Sequence, residues 1–395
     1  MRRGRITVGV GMAVVAGALT ASSVFASGGG GPTAESILGS GSDTTQFMMS
    51  QLDNLYLFSP GCAQIPTPSG PTAWLDFSCQ SPDPSGTVHT ENYQHDQTHE
   101  AYFLGSSNGI KQLCTQGSAG VATISFARSS RASKSSDCAG LDFVAYALDG
   151  ISWEANNNSH SGEFNMNNQS GTCSGSGSGS FTRFCLTQAQ LQGIFVTCTI
   201  TNWHQVGGQN VVINPYTPQS GSGTRSTFDT FLGGSSDTCI NKRPGTYAAT
   251  HIIPENANHA IAANGDTNNA IFPFSFGIWT VQVHNLNSWT LGSIDKVSPS
   301  QTTIANGTFP YTRNLYNVVC RACAAGVSDT EVFNYAGPDG WICKLSTKHG
   351  NDPVTGVNYR TEVANTIRAN GFVPVPQGAI GGGDPNSGFC RLSTT

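Results

Sequence analysis

Residues Ser220-Gly-Ser-Gly-Thr-Arg-Ser-Thr-Phe228 place hydroxyls and glycines at the predicted start of a short helix. Phe228, Phe231 and Leu232 follow at i, i+3 and i+4, the spacing of one helical face, and Gly233-Gly234 end the segment. A helix start has backbone N–H groups without intrahelical partners and carries partial positive charge. Small residues there let an anion approach the backbone, and serine and threonine add donors. The stretch therefore predicts an anion site at the start of a helix.

The same arrangement occurs twice more in the chain. Gly39-Ser-Gly-Ser-Asp-Thr-Thr45 precedes a predicted helix whose apolar face is Met48, Leu52, Leu55 and Tyr56. Gly105-Ser-Ser-Asn-Gly109 precedes Ile110 and Leu113 in the same way. Because one such loop is a weak signal and three are a stronger one, we expect these helix starts to converge on one ligand.

Composition limits the class of protein. A chain of 395 residues is long enough for about two domains of ~150 residues each. Only 11% of residues are charged, against a typical ~25%. This is not a signature of intrinsic disorder, because 37% of residues are hydrophobic and the net charge is only −5. The mild acidity and the lack of a Lys/Arg run argue against nucleic-acid binding.

The N-terminus has the pattern of an export signal. Three arginines, Arg2, Arg3 and Arg5, precede an apolar stretch from Val8 to Leu19, which is shorter than the ~20 residues that span a bilayer. We predict a signal peptide over residues 1–26, cleaved near Ala26, and a flexible linker over 27–34. The mature chain is expected to be secreted and to have no membrane span.

All twelve cysteines follow the predicted cleavage site, and an even number in an exported chain indicates disulfides. Proximity in sequence suggests the pairs 62–79, 114–138, 173–185 and 198–239. The pairing of Cys320, Cys323, Cys343 and Cys390 stays open. The C-x-x-C of Cys320 and Cys323 also occurs in redox and zinc sites, but no second C-x-x-C accompanies it, so an ordinary bridge is favoured.

Short helices and apolar strands alternate along the chain, which is typical of an α/β protein. The clearest predicted strands are residues 122–126, 143–148 and 211–213, and Thr361–Ala369 is predicted as a late helix. Residues 155–180 are rich in Asn, Ser and Gly and are predicted as a surface loop.

The order of these motifs resembles the phosphate-binding proteins of high-affinity phosphate ABC transporters. The resemblance extends over about residues 36–320, and the cysteine-rich, Asn/Ser-rich composition is similar to that of actinobacterial members. The motifs that carry it are Gly39–Thr45, Gly105–Ser107, Ile124–Arg131, Val144–Asp149, Leu186–Phe195, Ser220–Thr224 and Phe309–Tyr316.

The resemblance implies a fold of type II periplasmic-binding-protein class: two α/β lobes joined by a two-strand hinge. Residues 35–147 plus 317–395 would form lobe 1, and residues 148–316 would form lobe 2. The chain would leave the first lobe near Leu148 and return at Tyr311–Tyr316. Ligand contacts from both lobes would favour closure of the cleft.

The resemblance also implies a set of ligand-binding residues. The family's ligand loops fall on Asp43 and Thr44, on Ser106, on Ser130, and on Ser222, Gly223 and Thr224. Two positions depart from the family pattern, because Ser130 stands where an acidic proton acceptor is usual and Pro218 stands where an arginine is usual. We expect Asp43 to supply the acceptor, although it equally suits a helix N-cap, and Arg128, Arg131 or Arg225 to supply the cation.

The resemblance therefore implies a secreted, monomeric solute-binding protein that captures phosphate or a similar oxyanion for an ABC permease. No cofactor and no enzymatic activity are expected. The alternative is a secreted binding or interaction protein on the same fold, with another ligand and no transport role. Ser130, Pro218 and the lack of a lipid-accepting cysteine after the predicted cleavage site favour this alternative.

Two further functions have weaker support. Gly105-Ser-Ser-Asn-Gly109 matches the G-x-S-x-G pattern of serine hydrolases around Ser107, but short Gly/Ser patterns arise by chance in this composition, and none of His204, His251, His259 and His284 can be paired with Ser107. His95 and His99 stand at i, i+4 near His89, yet polar loop histidines are commoner than metal ligands. We therefore predict neither a catalytic nor a metal site.

Overall fold

The computed structural model describes residues 37–57, 90–92, 105–115, 124–156, 185–206, 208, 210–283, 289–323, 330–344, 350–352, 355–376 and 389–394. All of them belong to one unit, residues 34–395. The predicted signal peptide and linker, the Cys62–Cys79 pair, and His89, His95 and His99 lie outside the described residues.

Helices and strands alternate through the described chain. The strands are β1 (Ile37–Gly41), β2 (Thr90–Asn92), β3 (Phe126–Ser129), β4 (Leu141–Asn156), β5 (Cys185–Leu186), β6 (Asn214–Pro215), β7 (Thr217–Pro218), β8 (Ile252–Ile253), β9 (Ala270–Ser275), β10 (Trp289–Leu291), β11 (Ser293–Ile294), β12 (Thr312–Cys320), β13 (Val373–Pro374) and β14 (Arg391–Thr394).

The α-helices are α1 (Gln46–Leu57), α2 (Ser106–Thr115), α3 (Gln188–Phe195), α4 (Gly223–Leu232), α5 (Thr238–Asn241), α6 (Tyr247–His251), α7 (His259–Ala263), α8 (Phe276–Ile278), α9 (Gln301–Ala305), α10 (Thr330–Ala336) and α11 (Tyr359–Ala369). Short 3-10 turns cover Asp43–Thr45, Trp203–Val206 and Trp341–Cys343, and a π-helical turn covers Trp279–Val283.

The main sheet has the strand order β2-β1-β3-β12-β4-β9-β6, and β10, β13 and β14 also pair with β4. β4 is 16 residues long and is shared between two parts of the sheet. Its first part pairs with β12, β13 and β14, and its last residues pair with β9 and β10. The antiparallel pair of β4 and β12 is therefore the element that joins the two ends of the sheet.

Three buried apolar clusters support this sheet. One packs α2 against β3, β4 and β12, through Ile110 and Leu113 among others. A second holds Phe228 and Leu232 of α4, and the Phe228 ring meets Phe195 of α3 edge-on at 5.4 Å. The third and largest includes Met48, Leu52 and Tyr56 of α1. The apolar faces predicted for α1 and α4 are thus buried, except that Leu55 and Phe231 are half-buried. A left-handed Gly233 ends α4.

Two of the predicted strands differ from the structure. Of the strand expected over 122–126, only Phe126 belongs to β3, since Ile124 and Ser125 precede it and residues 122 and 123 lie outside the described residues. Residues 211–213 form one isolated bridge, Asn202 with Val212, rather than a strand, and the regular strand β6 follows at Asn214. The late helix α11 begins at Tyr359, two residues before its predicted start.

Disulfides confirm two predicted pairs, Cys114–Cys138 and Cys198–Cys239. Cys185 is disulfide-bonded, and its predicted partner Cys173 lies outside the described residues. The four cysteines whose pairing stayed open form Cys320–Cys323 and Cys343–Cys390. The C-x-x-C is therefore a bridge that closes the end of β12.

Glu154 is a carboxyl group inside the sheet. It lies on β4 opposite Phe272 of β9 and Leu291 of β10, and it is fully buried. Burial raises the pKa of Glu154 well above the usual value, and the nearby Asn258 side chain only partly offsets this. No described group lies within hydrogen-bonding geometry of either carboxyl oxygen. The fold therefore favours the protonated form.

We expect Glu154→Gln to stabilise the protein progressively as pH rises. Above the pKa that Glu154 has in the unfolded chain, unfolding releases the Glu154 proton. The free energy of unfolding of the parent therefore falls by about 1.4 kcal/mol per pH unit, until the higher pKa of Glu154 in the folded state is reached. The glutamine variant lacks this loss. Thermal or urea unfolding of the parent and the variant from pH 4 to pH 8, with disulfides intact, measures the difference in stability. If the stabilities of the two proteins change with pH in parallel, Glu154 is ionised in the folded state.

Candidate functional site

Hydroxyl groups from three separate chain segments meet in the interior. Ser42 precedes the 3-10 turn Asp43–Thr45, Ser106 opens α2, and Ser130 follows β3. The Ser42 Oγ donates to the Ser130 Oγ at 2.9 Å, and the Ser130 and Ser106 Oγ atoms are 3.2 Å apart. The Ser130 N–H also donates to the Ser106 Oγ at 2.9 Å. The loops predicted for the first lobe therefore converge.

The start of α4 packs directly against this hydroxyl cluster. A Cβ atom at Gly223 would lie 2.1 Å from the Ser130 Oγ and 2.3 Å from the Ser106 Oγ, so only glycine fits this approach. The Ser107 N–H donates to the Gly221 carbonyl at 3.0 Å. Ser222 is the N-cap of α4, because its Oγ accepts from the Arg225 N–H. The predicted residues Ser106, Ser130 and Gly223 are thus in contact.

Arg313 of β12 is a cation at these loops that the sequence prediction missed. Its Nη1 donates to the Thr224 Oγ1 at 3.0 Å and to the Ser130 carbonyl at 3.2 Å, and its Nη2 donates to the Thr44 Oγ1 at 3.3 Å. The side chain is 3% exposed. Arg313 therefore connects the first residues of two helical segments with the chain after β3.

Asp149 of β4 neutralises Arg313. The two residues stand opposite each other in the β4–β12 pair, and the Arg313 Nη2 lies 2.8 Å from the Asp149 Oδ2. Asp149 also accepts hydrogen bonds from the Ser275 Oγ at 2.8 Å and from the Gly277 N–H at 3.1 Å. The buried ion pair is thus saturated with hydrogen bonds, as a buried pair must be.

The three arginines expected as cations make other contacts. Arg128 donates to the carbonyls of Gly39 and Ser42 at 2.7 and 3.2 Å. Burial lowers the pKa of Arg128 to about 10, partly offset by Asp43. Arg131 forms a two-pronged ion pair with Asp137.

Arg225 forms an ion pair with Asp237, with an Nη2–Oδ2 distance of 2.6 Å, and it reaches the Pro218 carbonyl at 3.4 Å. Asp43 is the first residue of the 3-10 turn, and the N-cap position before it belongs to Ser42. The expectation that Asp43 serves as an N-cap is therefore wrong, and its role as an acceptor stays a prediction.

A second residue missed by the sequence analysis is Glu255, which lies at the start of α4. Its Oε2 accepts a short hydrogen bond from the Ser222 Oγ and a longer one, 3.4 Å, from the Thr224 N–H. Glu255 is 4% exposed, and no described group donates to its Oε1. A carboxylate of the chain itself thus occupies donors that the sequence assigns to an anion. Because 31 residues separate Glu255 from Thr224, no local pattern indicates this contact.

Ser107 has no histidine among its hydrogen-bond partners in the described part of the chain. Its Oγ accepts from the Arg131 Nε at 2.9 Å. His251 instead lies 3.0 Å from Asp266 and stacks on Tyr216 and Tyr247. The described residues contain no His/Cys/Asp/Glu group arranged for a metal, and none of their helices has the length and apolar character needed to cross a membrane.

Comparisons with known proteins agree with this architecture. Residues 87–330, more than half of the chain, match the family model described as "PBP superfamily domain". A solved structure from Clostridium perfringens, described as a phosphate ABC transporter substrate-binding protein with bound phosphate, is similar at a TM-score of 0.50 and 18% identity; the match covers 86% of this chain and 99% of that one.

A second similar structure is an ABC-type phosphate transport receptor from Vibrio cholerae, at a TM-score of 0.47 and 20% identity, with coverage of 85% and 99%. No curated protein matches the chain. The family model and the first structure confirm the predicted α/β, two-lobed type II fold with a two-strand hinge. The predicted lobe boundaries stay predictions.

We expect Gly223→Ala to destabilise the protein by about 1–3 kcal/mol, because the added methyl group overlaps two hydroxyl oxygens in a packed interior. An alanine elsewhere in a helix would usually be favourable relative to glycine. Thermal unfolding with disulfides intact measures the effect, and Thr230→Ala on the exposed side of the same helix is the control. An unchanged midpoint for Gly223→Ala would mean that α4 does not press on Ser106 and Ser130 in solution.

Proposed function

Because the chain belongs to the PBP superfamily, we propose that it is a solute-binding protein that captures a phosphate-like oxyanion between its two lobes. It is secreted, acts as a monomer without a cofactor, and presents its ligand to an ABC permease. The C. perfringens protein described above, which shares the fold, was solved with bound phosphate, and this supports the ligand class.

The observation that carries the proposal is the position of Arg313. One buried guanidinium donates to Thr44, to Thr224 and to the Ser130 carbonyl, so it touches all the loops that are expected to bind the ligand except that of Ser106. Ser106 is linked to the same place through Ser130. In this proposal Arg313 supplies the cation that the family usually has at the position of Pro218. It reaches the site from the hinge strand β12 rather than from the loop before α4.

The ligand would be held by neutral donors arranged around this cation. The N–H groups at the start of α4 and the hydroxyls of Thr44, Ser106, Ser130 and Thr224 can replace the water shell of a tetrahedral oxyanion. In the structure the Ser106 and Ser130 hydroxyls bond to each other, and the Thr44 and Thr224 hydroxyls accept from Arg313. Gly223 lies against the two serines. Binding therefore requires the start of α4 to separate from Ser106 and Ser130, and the β4–β12 hinge is the element about which that separation would occur.

Glu255 would oppose binding in this scheme. Its carboxylate holds the Ser222 hydroxyl and the Thr224 N–H, the same donors that an oxyanion needs. An incoming anion must displace this carboxylate or lie beside it, and like charges at short distance in a buried site repel strongly. Glu255 is thus an internal competitor that sets how tightly the site holds its ligand.

We expect phosphate or arsenate to stabilise the protein against thermal unfolding, by about 2.7 kcal/mol at a concentration 100 times the dissociation constant. Thr224→Val and Ser106→Ala each remove one donor hydroxyl, and each should weaken binding by about ten- to a hundredfold. Thr230→Val, at an exposed position of α4, is the control. Thermal shifts measure the stabilisation and calorimetry measures the affinities, each with phosphate, arsenate, sulfate and a sugar panel.

If none of the oxyanions raises the unfolding temperature, the proposal is refuted. The alternative of a binding protein with another ligand and no transport role then remains. Unchanged affinity in both hydroxyl variants, with phosphate still bound, would show that the ligand loops are misassigned.

We expect Glu255→Gln to raise the affinity for a divalent oxyanion by about tenfold, because it removes a negative charge beside the donors while keeping a side-chain oxygen for Ser222. Calorimetry at constant pH compares the variant with the parent. Glu362→Gln, on α11 and bonded to Thr355, is the matched control and should bind like the parent. Weaker binding in Glu255→Gln would show instead that the carboxylate accepts a hydrogen bond from the ligand.

A further inference from the structure

A cavity lies away from the oxyanion site. It has a volume of 730 Å³ and opens between α9, α11 and the segment 372–376, with Phe389 at its side. None of the residues expected to bind the oxyanion lines it. Its volume is in the range of small-molecule sites, about 300–1,000 Å³. We call it the α9–α11 groove.

Two arginines of α11 give the groove a positive charge. Arg360 is 5% exposed, its Nη1 donates to the Ile342 carbonyl at 2.9 Å, and its Cζ lies 3.7 Å from the centroid of the Phe389 ring. Arg368 lies two turns further along the same helix and contacts Asn365 at 3.5 Å. Arg360 is close enough to Arg368 for the two charges to interact.

No carboxylate compensates these charges in the described part of the chain. The lining of the groove includes no aspartate or glutamate, and neither arginine forms an ion pair with a described residue. Burial lowers the pKa of Arg360 to about 10, which is still far above neutral pH. A buried, charged guanidinium beside an open cavity, with no counter-ion among the described residues, favours an anion.

The remaining walls of the groove are largely apolar. Phe372, Pro374, Val375 and Phe389 line it, and Ala305 and Ala364 leave space on the two helices. Gln301 connects α9 to the opposite wall of the groove, because its Nε2 donates to the carbonyls of Arg368 and Phe372 at 2.8 and 3.0 Å. A tetrahedral inorganic anion would fill only a small part of this volume and would leave the apolar walls uncovered.

We propose that the α9–α11 groove binds a small organic carboxylate with an aromatic or aliphatic body. The carboxylate lies against the guanidinium groups of Arg360 and Arg368, whose planar donors match its two oxygens. The apolar body covers Phe372, Pro374 and Phe389. This site is separate from the oxyanion site and does not depend on the function proposed for that site.

Calorimetry on the disulfide-intact protein tests the groove with phenylacetate, 4-phenylbutyrate and octanoate, and with 4-phenylbutyramide as a neutral partner of matched shape. We expect at least one carboxylate to bind, and the amide to bind at least about tenfold more weakly than 4-phenylbutyrate. Arg368→Gln and Arg360→Gln should each weaken carboxylate binding by about tenfold or more, as loss of a charge-assisted hydrogen bond would.

Ala305→Trp is the variant that remains decisive if Arg360→Gln does not fold. Ala305 is exposed at the groove, so a tryptophan there fills the cavity without entering the core, and it should abolish carboxylate binding. The unfolding midpoint of each variant confirms that it is folded. The proposal is overturned if none of the three carboxylates binds at millimolar concentration, if the amide binds equally well, or if folded Ala305→Trp binds like the parent.

Discussion

The arrangement of the site depends on one buried ion pair, that of Arg313 with Asp149. The two residues are direct cross-strand partners on β12 and β4, the strands that join the two ends of the sheet. Removing one member of such a pair leaves an unpaired charge in the interior and costs about 3–5 kcal/mol. The remaining donors of Arg313 reach Thr44, Thr224 and the Ser130 carbonyl. The hinge strands and the loops predicted to bind the ligand therefore share one electrostatic anchor.

The loops around this anchor satisfy one another in the described conformation. Ser42, Ser106 and Ser130 form a chain of hydroxyl contacts, and Gly223 lies against two of them. The affinity for any ligand is therefore the difference between the bonds that it makes and those that it replaces. Because these hydroxyls bond to one another, a ligand must offer several acceptors to replace those bonds, and a tetrahedral oxyanion has four oxygens for this purpose.

Local patterns predicted the parts of the fold that depend on local physics. The 3.6-residue spacing of apolar side chains placed α1 and α4, and neighbouring cysteines gave Cys114–Cys138 and Cys198–Cys239. The sequence did not indicate Arg313 or Glu255, because their contacts join residues up to 269 positions apart and create no local spacing. The predicted cations Arg128, Arg131 and Arg225 carry charge near the right loops, but carbonyls and aspartates of the chain itself already engage them.

The charges of the site imply how it can distinguish ligands. Asp149 balances Arg313, and the Glu255 carboxylate adds a further acceptor at the start of α4, so the contacts described supply no excess of positive charge. An oxyanion would then be held by hydroxyls and backbone N–H groups, whose interactions depend steeply on direction and distance. Such donors in a buried site are screened little by salt. The site would therefore select its ligand by the positions of the ligand's oxygens and protons rather than by its net charge. The Glu255 carboxylate, which accepts hydrogen bonds at the start of α4, would limit how much negative charge a bound ligand can carry.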